Sequence, residues 1–267
     1  MTVHLVGAGP GDPELITVRG AALLARADVI LYDRLVARAL LELAPAGAER
    51  IDVGKQPGRP SRQGDINALL IEHGGKGREV VRLKGGDPFL FGRGGEEAEA
   101  LQAAGIPYDV VPGVTSAFAA PAAAGIPVTH RGLSTSVTVV TGHVGDPSAP
   151  GGVDWQALAR AGGTLVVMMG MAHRDRARIA EALIAGGRPG DTPVTVVHWG
   201  TTDEQRTART TLDGLADVEL PAPCTIVIGP VAGLDLLSAV GMTGGSSPAG
   251  TTGGSSPTGG PCGDEPT

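Results

Sequence analysis

The feature that most constrains this chain is an alternation of short β-branched runs with helical stretches, the runs stopping mostly at glycine or proline turns. Residues 3–6 read as a first strand and end at Gly7-Ala8-Gly9-Pro10-Gly11-Asp12. A helix through 15–24, a strand at 29–32 ending in Asp33-Arg34, and a helix near 35–43 come next. A strand at 50–53 then runs into Gly54-Lys55. Residues 63–73 read as helix, 79–83 as strand, 94–104 as helix and 108–111 as strand, stopped by Pro112-Gly113. Parallel strands need crossovers, so this spacing predicts βαβ units and a mostly parallel sheet. An alanine-rich helix to 124 and an extended link at 125–131 lead to a second set. That set comprises strands at 136–141, 164–169, 193–198, 206–211 and 224–228, with helices at 154–161 and 173–185. The expected fold is α/β, with a mostly parallel N-terminal sheet in 1–112, a mixed C-terminal sheet in 113–241 and an active cleft between the two domains.

From Met242 the composition shifts, and Thr-Gly-Gly-Ser-Ser-Pro occurs at 243–248 and again at 252–257. Such a segment cannot bury a core, so 242–267 is expected to be a disordered tail. The 267 residues are otherwise ample for a core, at 42% hydrophobic. No apolar run is long enough to span a bilayer and no leader-like start is present, so a cytoplasmic protein is expected, with no membrane partner. Cys224 and Cys262 lack metal spacing, and the six histidines form no i, i+4 pair, so no metal is expected. A formal charge of −7 argues against nucleic acid as a partner. The charge is uneven, however: residues 1–131 hold 14 Lys/Arg against 15 Asp/Glu, the remainder 7 against 13. The cations of the first part, including Lys55, Arg59 and Arg62 in one loop, suit a polyanionic small molecule or, equally, a solvated loop.

The stretch 82–97, Arg-Leu-Lys-Gly-Gly-Asp-Pro-Phe-Leu-Phe-Gly-Arg-Gly-Gly-Glu-Glu, carries the densest signal. A strand runs into paired glycines, an Asp-Pro turn and two aromatics, and a helix opens on Glu96-Glu97, whose charges suit its dipole. Glycines after a strand let backbone approach a ligand, so the loop is read as one wall of a cleft. The first glycine loop has a dinucleotide-like Gly7-x-Gly9, with Asp33 where a ribose-binding acid would sit. Yet Asp12 would place an anion beside a pyrophosphate, and Pro10 removes a backbone donor. A phosphate-free ligand such as S-adenosylmethionine fits better.

Six ordered blocks then carry a resemblance. They are Val6-Gly7-Ala8-Gly9-Pro10-Gly11-Asp12, Tyr32-Asp33-Arg34-Leu35-Val36, Val53-Gly54-Lys55, the 82–97 stretch, Val111-Pro112-Gly113-Val114-Thr115-Ser116 and Pro127-Val128-Thr129-His130-Arg131. Across roughly 3–236 the chain resembles the uroporphyrinogen-III C-methyltransferases of the tetrapyrrole methylase family. The resemblance starts at the first strand, so the fused dehydrogenase/ferrochelatase module of some such enzymes is not expected. It implies methylation of uroporphyrinogen III at C2 and then C7, through precorrin-1 to precorrin-2, with S-adenosyl-L-methionine leaving as S-adenosyl-L-homocysteine. It also implies a homodimer. Pro10, Gly85, Gly86, Asp87, Leu90, Thr115, Ser116, Met169 and Gly200 match the family's donor contacts, and Cys224 lies where small residues border the adenosine. Asp33 matches the proposed proton acceptor and Lys55 the proposed proton donor. Capping the next helix is the competing role for Asp33, and attraction of a substrate carboxylate that for Lys55. The substrate's eight carboxylates would need cations, for which Arg34, Arg38, Lys55, Arg59, Arg62, Arg93 and Arg131 are the candidates. His143 is expected to be structural rather than reactive.

Overall fold

The structure, a computed structural model, describes residues 2–54, 63–142, 152–169 and 173–237. Its first half is β1 (Val3–Gly7), α1 (Val18–Leu24), β2 (Val29–Tyr32), β3 (Glu49–Asp52), α2 (Gln63–Gly75), β4 (Val80–Lys84), α3 (Gly94–Ala103) and β5 (Tyr108–Val111). These strands form a five-stranded sheet in the order β3-β2-β4-β1-β5, parallel throughout. Strand side chains alternate between faces. Accordingly Ile30, Tyr32, Val81 and Leu83 pack with Leu23 and Leu24 of α1, whereas Val29, Leu31 and Val80 pack with Ile66 and Leu70 of α2 and Leu101 of α3. The edge strand β3 keeps Glu49, Arg50 and Asp52 exposed, which discourages pairing with another chain.

Helix α4 (Ser116–Ala123) leads to β6 (Val137–Thr141), α5 (Trp155–Ala161), β7 (Thr164–Met168), α6 (His173–Ala185), β8 (Pro193–His198), β9 (Arg206–Thr211) and β10 (Cys224–Ile228). The second sheet runs β6-β7-β10-β8-β9 and is mixed: β6 and β7 are parallel, and β10 is antiparallel to both β7 and β8. The expected α/β class with a parallel first sheet and a mixed second sheet is what the chain adopts. Helix α4 packs Ala120 against Val197 and Val227 of the second sheet. For that reason we place the lobe boundary at 112/113, giving lobes 1–112 and 113–241; the tail at 242–267 lies outside the described residues.

Two elements differ from expectation. The helix near 35–43 is a 3-10 segment, Arg38–Leu43, entered from an extended Ala37 that offers no side-chain cap. The helix expected over 15–24 begins only at Val18, where the Thr17 hydroxyl accepts from Gly20 N at 3.1 Å. Before it, Asp12 caps a short 3-10 turn by accepting from Glu14 N at 2.8 Å.

Candidate active site

The loops after β1, β2, β4 and β5 leave the same edge of the parallel sheet, where ligands gather in open α/β folds. Three meet almost without clearance. A Cβ on Gly113 would stand 2.2 Å from the Gly86 carbonyl oxygen, and one on Gly7 2.5 Å from Gly113 Cα, so side chains here would force the loops apart. Gly86 N donates to Gly9 O at 2.7 Å. Asp87 stitches the rest: Oδ1 accepts from Phe89 N at 2.8 Å and Oδ2 from Gly113 N at 3.0 Å.

A cavity opens on these loops and is closed by the second sheet. The first lobe's loops and the start of α4 contribute Pro10, Gly85, Gly86, Asp87, Leu90, Thr115 and Ser116; the second sheet contributes Met169, Val197, Trp199, Gly200 and Cys224. Every residue that the resemblance assigns to the donor thus borders one cavity. Among the described residues its only charged lining residue is Asp87, and none of the lysines or arginines among them faces it. A pyrophosphate would find no counter-charge here, whereas an apolar slot with one carboxylate suits a nucleoside bearing a sulfonium and an ammonium.

Backbone strain concentrates around the same space. Among the described residues the non-glycine residues at positive φ are Phe91 (54°), Arg93 (58°), Met169 (61°), Trp199 (44°) and Thr201 (73°). Phe91, Met169 and Trp199 line the cavity, and Thr201 Oγ1 accepts from Asp12 N at 3.2 Å beside it. Bulky residues hold the left-handed region only where surrounding packing dictates it, and such sites cluster at ligand clamps. This explains why β7 stops at Met168 rather than continuing through Met169.

Two expectations need refinement. Gly200, expected among the donor contacts, turns its missing Cβ toward α4: a methyl there would lie 2.4 Å from Ala120 Cβ. The glycine is required by helix packing, and it lines the cavity with its backbone. Cys224, expected only to border the adenosine, has a base beside it, His198 Nδ1 at 3.9 Å. That nitrogen, however, is 2.7 Å from Pro221 O and donates to it, and burial pushes the Cys224 thiol up, so no activated nucleophile results.

A second cavity adjoins the first, sharing Leu35, Gly85, Phe91 and Gly92 as its wall. It is lined by Asp33, Arg34, Arg82, Lys84 and Arg93. Asp33 caps no helix; its Oδ1 accepts from Arg82 Nη2 at 2.6 Å, and its side chain is 32% exposed. Arg93 makes a bidentate pair with Glu96, Nε to Oε1 at 2.8 Å and Nη2 to Oε2 at 2.6 Å. Arg38 and Arg131 line neither cavity. Arg38 is spent on Tyr32, donating to its hydroxyl at 2.9 Å, and lies 3.6 Å from Asp52. Arg131 is exposed in the turn closed by the His130–Ser134 bridge. Lys55, Arg59, Arg62 and His143 lie outside the described residues.

Sequence reasoning missed Arg82, Lys84 and the burial of Glu97. Arg82 and Lys84 share the β4 face of Val80 that α2 and α3 cover, where Glu97 is fully buried and accepts from both. Two cations spaced i, i+2 in an otherwise apolar strand were the available signal. Burial and the adjacent Arg82 charge lower the Lys84 pKa, against the pull of Glu97 and Asp33. Among the described residues no cluster of His, Cys, Asp or Glu could hold a metal ion, and no helix is long and apolar enough to cross a membrane.

Comparison with known proteins bears on this arrangement. A family model described as Tetrapyrrole (Corrin/Porphyrin) Methylases matches residues 2–216. An S-adenosyl-L-methionine-dependent uroporphyrinogen III methyltransferase of Methanosarcina barkeri is 48% identical over 237 residues, covering 87% of this chain and 92% of that protein. The crystal structure of a Thermus thermophilus uroporphyrin-III C-methyl transferase complexed with S-adenyl homocysteine is 42% identical, with a TM-score of 0.74 over 86% of this chain and 98% of that one. A cobalt precorrin-4 methyltransferase structure is 32% identical at a TM-score of 0.76, over 85% and 94%. With its parallel and mixed sheets, its shared cleft and this match, the chain belongs to the tetrapyrrole methylase family.

Proposed function

We propose that this protein is a uroporphyrinogen-III C-methyltransferase that methylates C2 and then C7, passing through precorrin-1 to precorrin-2. One observation carries the reading: among the described residues, an apolar cavity with one carboxylate, Asp87, adjoins a cation-lined cavity across the shared wall of Leu35, Gly85, Phe91 and Gly92. The names of the similar methyltransferases support it. S-adenosylmethionine, when bound, supplies an electrophilic methyl on a sulfonium. Asp87, with the backbone of Gly85 and Gly86, would hold its polar groups, and Met169, Leu90 and Val197 its apolar surface.

The chain's own task is positioning, water exclusion and proton management. Arg34 and Arg93 would grip substrate carboxylates, Arg93 by exchanging its exposed Glu96 partner for them. Asp33 would take the proton released as each methylated pyrrole rearranges; the described residues give its Oδ2 no partner, which leaves that oxygen for the substrate. Lys55, which lies outside the described residues, is assigned proton donation on the family resemblance. We also propose a cytoplasmic location and, on the family resemblance, a homodimer.

Incubation with uroporphyrinogen III and labelled S-adenosylmethionine tests the reading. Two methyl groups per macrocycle are expected, with precorrin-4 inert. Turnover of precorrin-4 alone would instead make this a later enzyme of the same family. Calorimetric titration should detect S-adenosylhomocysteine and not NAD; tight NAD binding alone would sink the donor assignment.

A further inference from the structure

A chain of charges, largely buried, lines the second cavity, and among its described members Asp33 is the most exposed, with Arg82 and Lys84 each 2% exposed. Glu97, on the first turn of α3, is 0% exposed. Its Oε1 accepts from Arg82 Nε at 3.0 Å, from Lys84 Nζ at 3.1 Å and from Gln63 Nε2 of α2 at 3.2 Å. Arg82, itself 2% exposed, engages both its remaining nitrogens: Nη1 reaches Leu31 O at 3.4 Å and Leu83 O at 3.3 Å, and Nη2 reaches Asp33 Oδ1 at 2.6 Å. Two buried cations therefore stand against two carboxylates, one of them at the cavity.

Stability alone does not account for such a network, because apolar side chains of equal volume often serve a core as well or better. What an ionic network adds is direction. The guanidinium is planar and rigid, so fixing Nε on Glu97 and Nη1 on two carbonyls fixes where Nη2 points. That in turn fixes one oxygen of Asp33 and aims the other. We propose that Glu97 is a positioning residue for methyl transfer: through Arg82 it holds the Asp33 carboxylate in the orientation that receives the substrate proton. This rests on the assignment of Asp33 as proton acceptor made above. Lys84 supplies the second cation that the Glu97 carboxylate balances, and its lowered pKa fits a charge held in place at some cost.

The test compares Glu97→Gln in the wild-type and Asp33→Ala backgrounds, measuring kcat, KM for both substrates and S-adenosylhomocysteine affinity. Glu97→Gln should lower kcat about 10- to 100-fold, the scale of a misplaced reacting group, with donor KM and product affinity unchanged. In the Asp33→Ala background it should lower kcat no further, because the group it positions is already gone. Glu97→Gln leaves two buried cations facing one carboxylate, so Lys84→Met/Glu97→Gln, which restores the balance, is measured beside it, with Lys84→Met as control. The paired variant should keep the wild-type Tm and still lose kcat relative to that control. Wild-type kcat in the folded paired variant, or an equal loss in both Asp33 backgrounds, overturns the positioning role. If Asp33→Ala alone keeps wild-type kcat, the acceptor assignment fails and this proposal with it. If Asp33→Ala loses turnover while the Glu97 variants keep it, only the positioning role fails.

Discussion

The two lobes meet at one cleft but bring different chemistry to it. The first lobe supplies the lining charges: Asp87 in one cavity, and Asp33, Arg34, Arg82, Lys84 and Arg93 in the other. The second lobe supplies Met168, Met169, Val197, Trp199, Gly200, Pro223, Cys224 and Thr225, none of them a cation or a carboxylate. Topology explains the division. A parallel sheet sends the carboxyl ends of all its strands to one edge, so loops rich in polar residues converge there. In the mixed sheet β10 runs against β7 and β8, pairing Cys224 with His198 and Thr225 with Met168. One strand therefore enters the cleft at its start and two at their ends, and what they offer is mostly wall. One lobe carries the charges of the cleft; the other carries mostly its uncharged wall.

That division can be broken experimentally. The largest effect is expected from Asp33→Ala, which should lower kcat by about 10²- to 10⁴-fold, the usual worth of a general base, with S-adenosylhomocysteine affinity near wild type by calorimetry. A large affinity loss instead would place Asp33 on the donor side. The mirror experiment is Gly200→Ala in the other lobe. Its methyl would meet Ala120 Cβ at 2.4 Å, so unfolding should show a loss of about 1–3 kcal/mol and donor affinity should fall with it. An unchanged Tm would mean that α4 yields freely and that the second lobe is softer than its packing implies.

Smaller effects sharpen the same contrast. Because burial raises the Cys224 pKa, alkylation at neutral pH should be slower than for a free thiol by about tenfold or more, and slower still with S-adenosylhomocysteine bound. Mass spectrometry on a Cys262→Ser background reads this; rapid modification would reveal an activated thiol in the lobe assigned no chemistry. The smallest effect is expected far from the cleft, at the amino end of the first sheet. There burial raises the Glu79 pKa, but the His4 hydrogen bond at 3.0 Å and the His4 and Arg26 charges outweigh it, leaving the carboxyl below its ordinary value. A lowered folded pKa contributes stability that is present above the unfolded value and lost as pH falls through the folded one. Glu79→Gln should thus cost about 1 kcal/mol or less at neutral pH, and its unfolding curve should merge with wild type in acid. Turnover should be unaffected.

Much of this was written locally in the chain. Short β-branched runs and glycine-proline stops place most strands and helices, because each depends on neighbours within a few positions, although the Thr17 cap that starts α1 at Val18 was not read. The donor loops were legible for the same reason: a glycine pair after a strand is a local signal. The partners of Glu97 were not. It read as an acid complementing a helix dipole, yet it is buried on Arg82, 15 residues away, which in turn reaches Asp33, 49 residues away. Cys224 in the cleft depends on β10 being antiparallel, which no residue near it announces. That Gly200 makes room for α4 as well as lining the cavity was equally invisible in the sequence. The sequence by itself determined the order of elements, the sheet type of the first lobe and the loops that face the cleft. Only the tertiary structure decided which charges meet, because pairing across crossovers is set by strand order and burial, and these are properties of the assembled layers rather than of any segment.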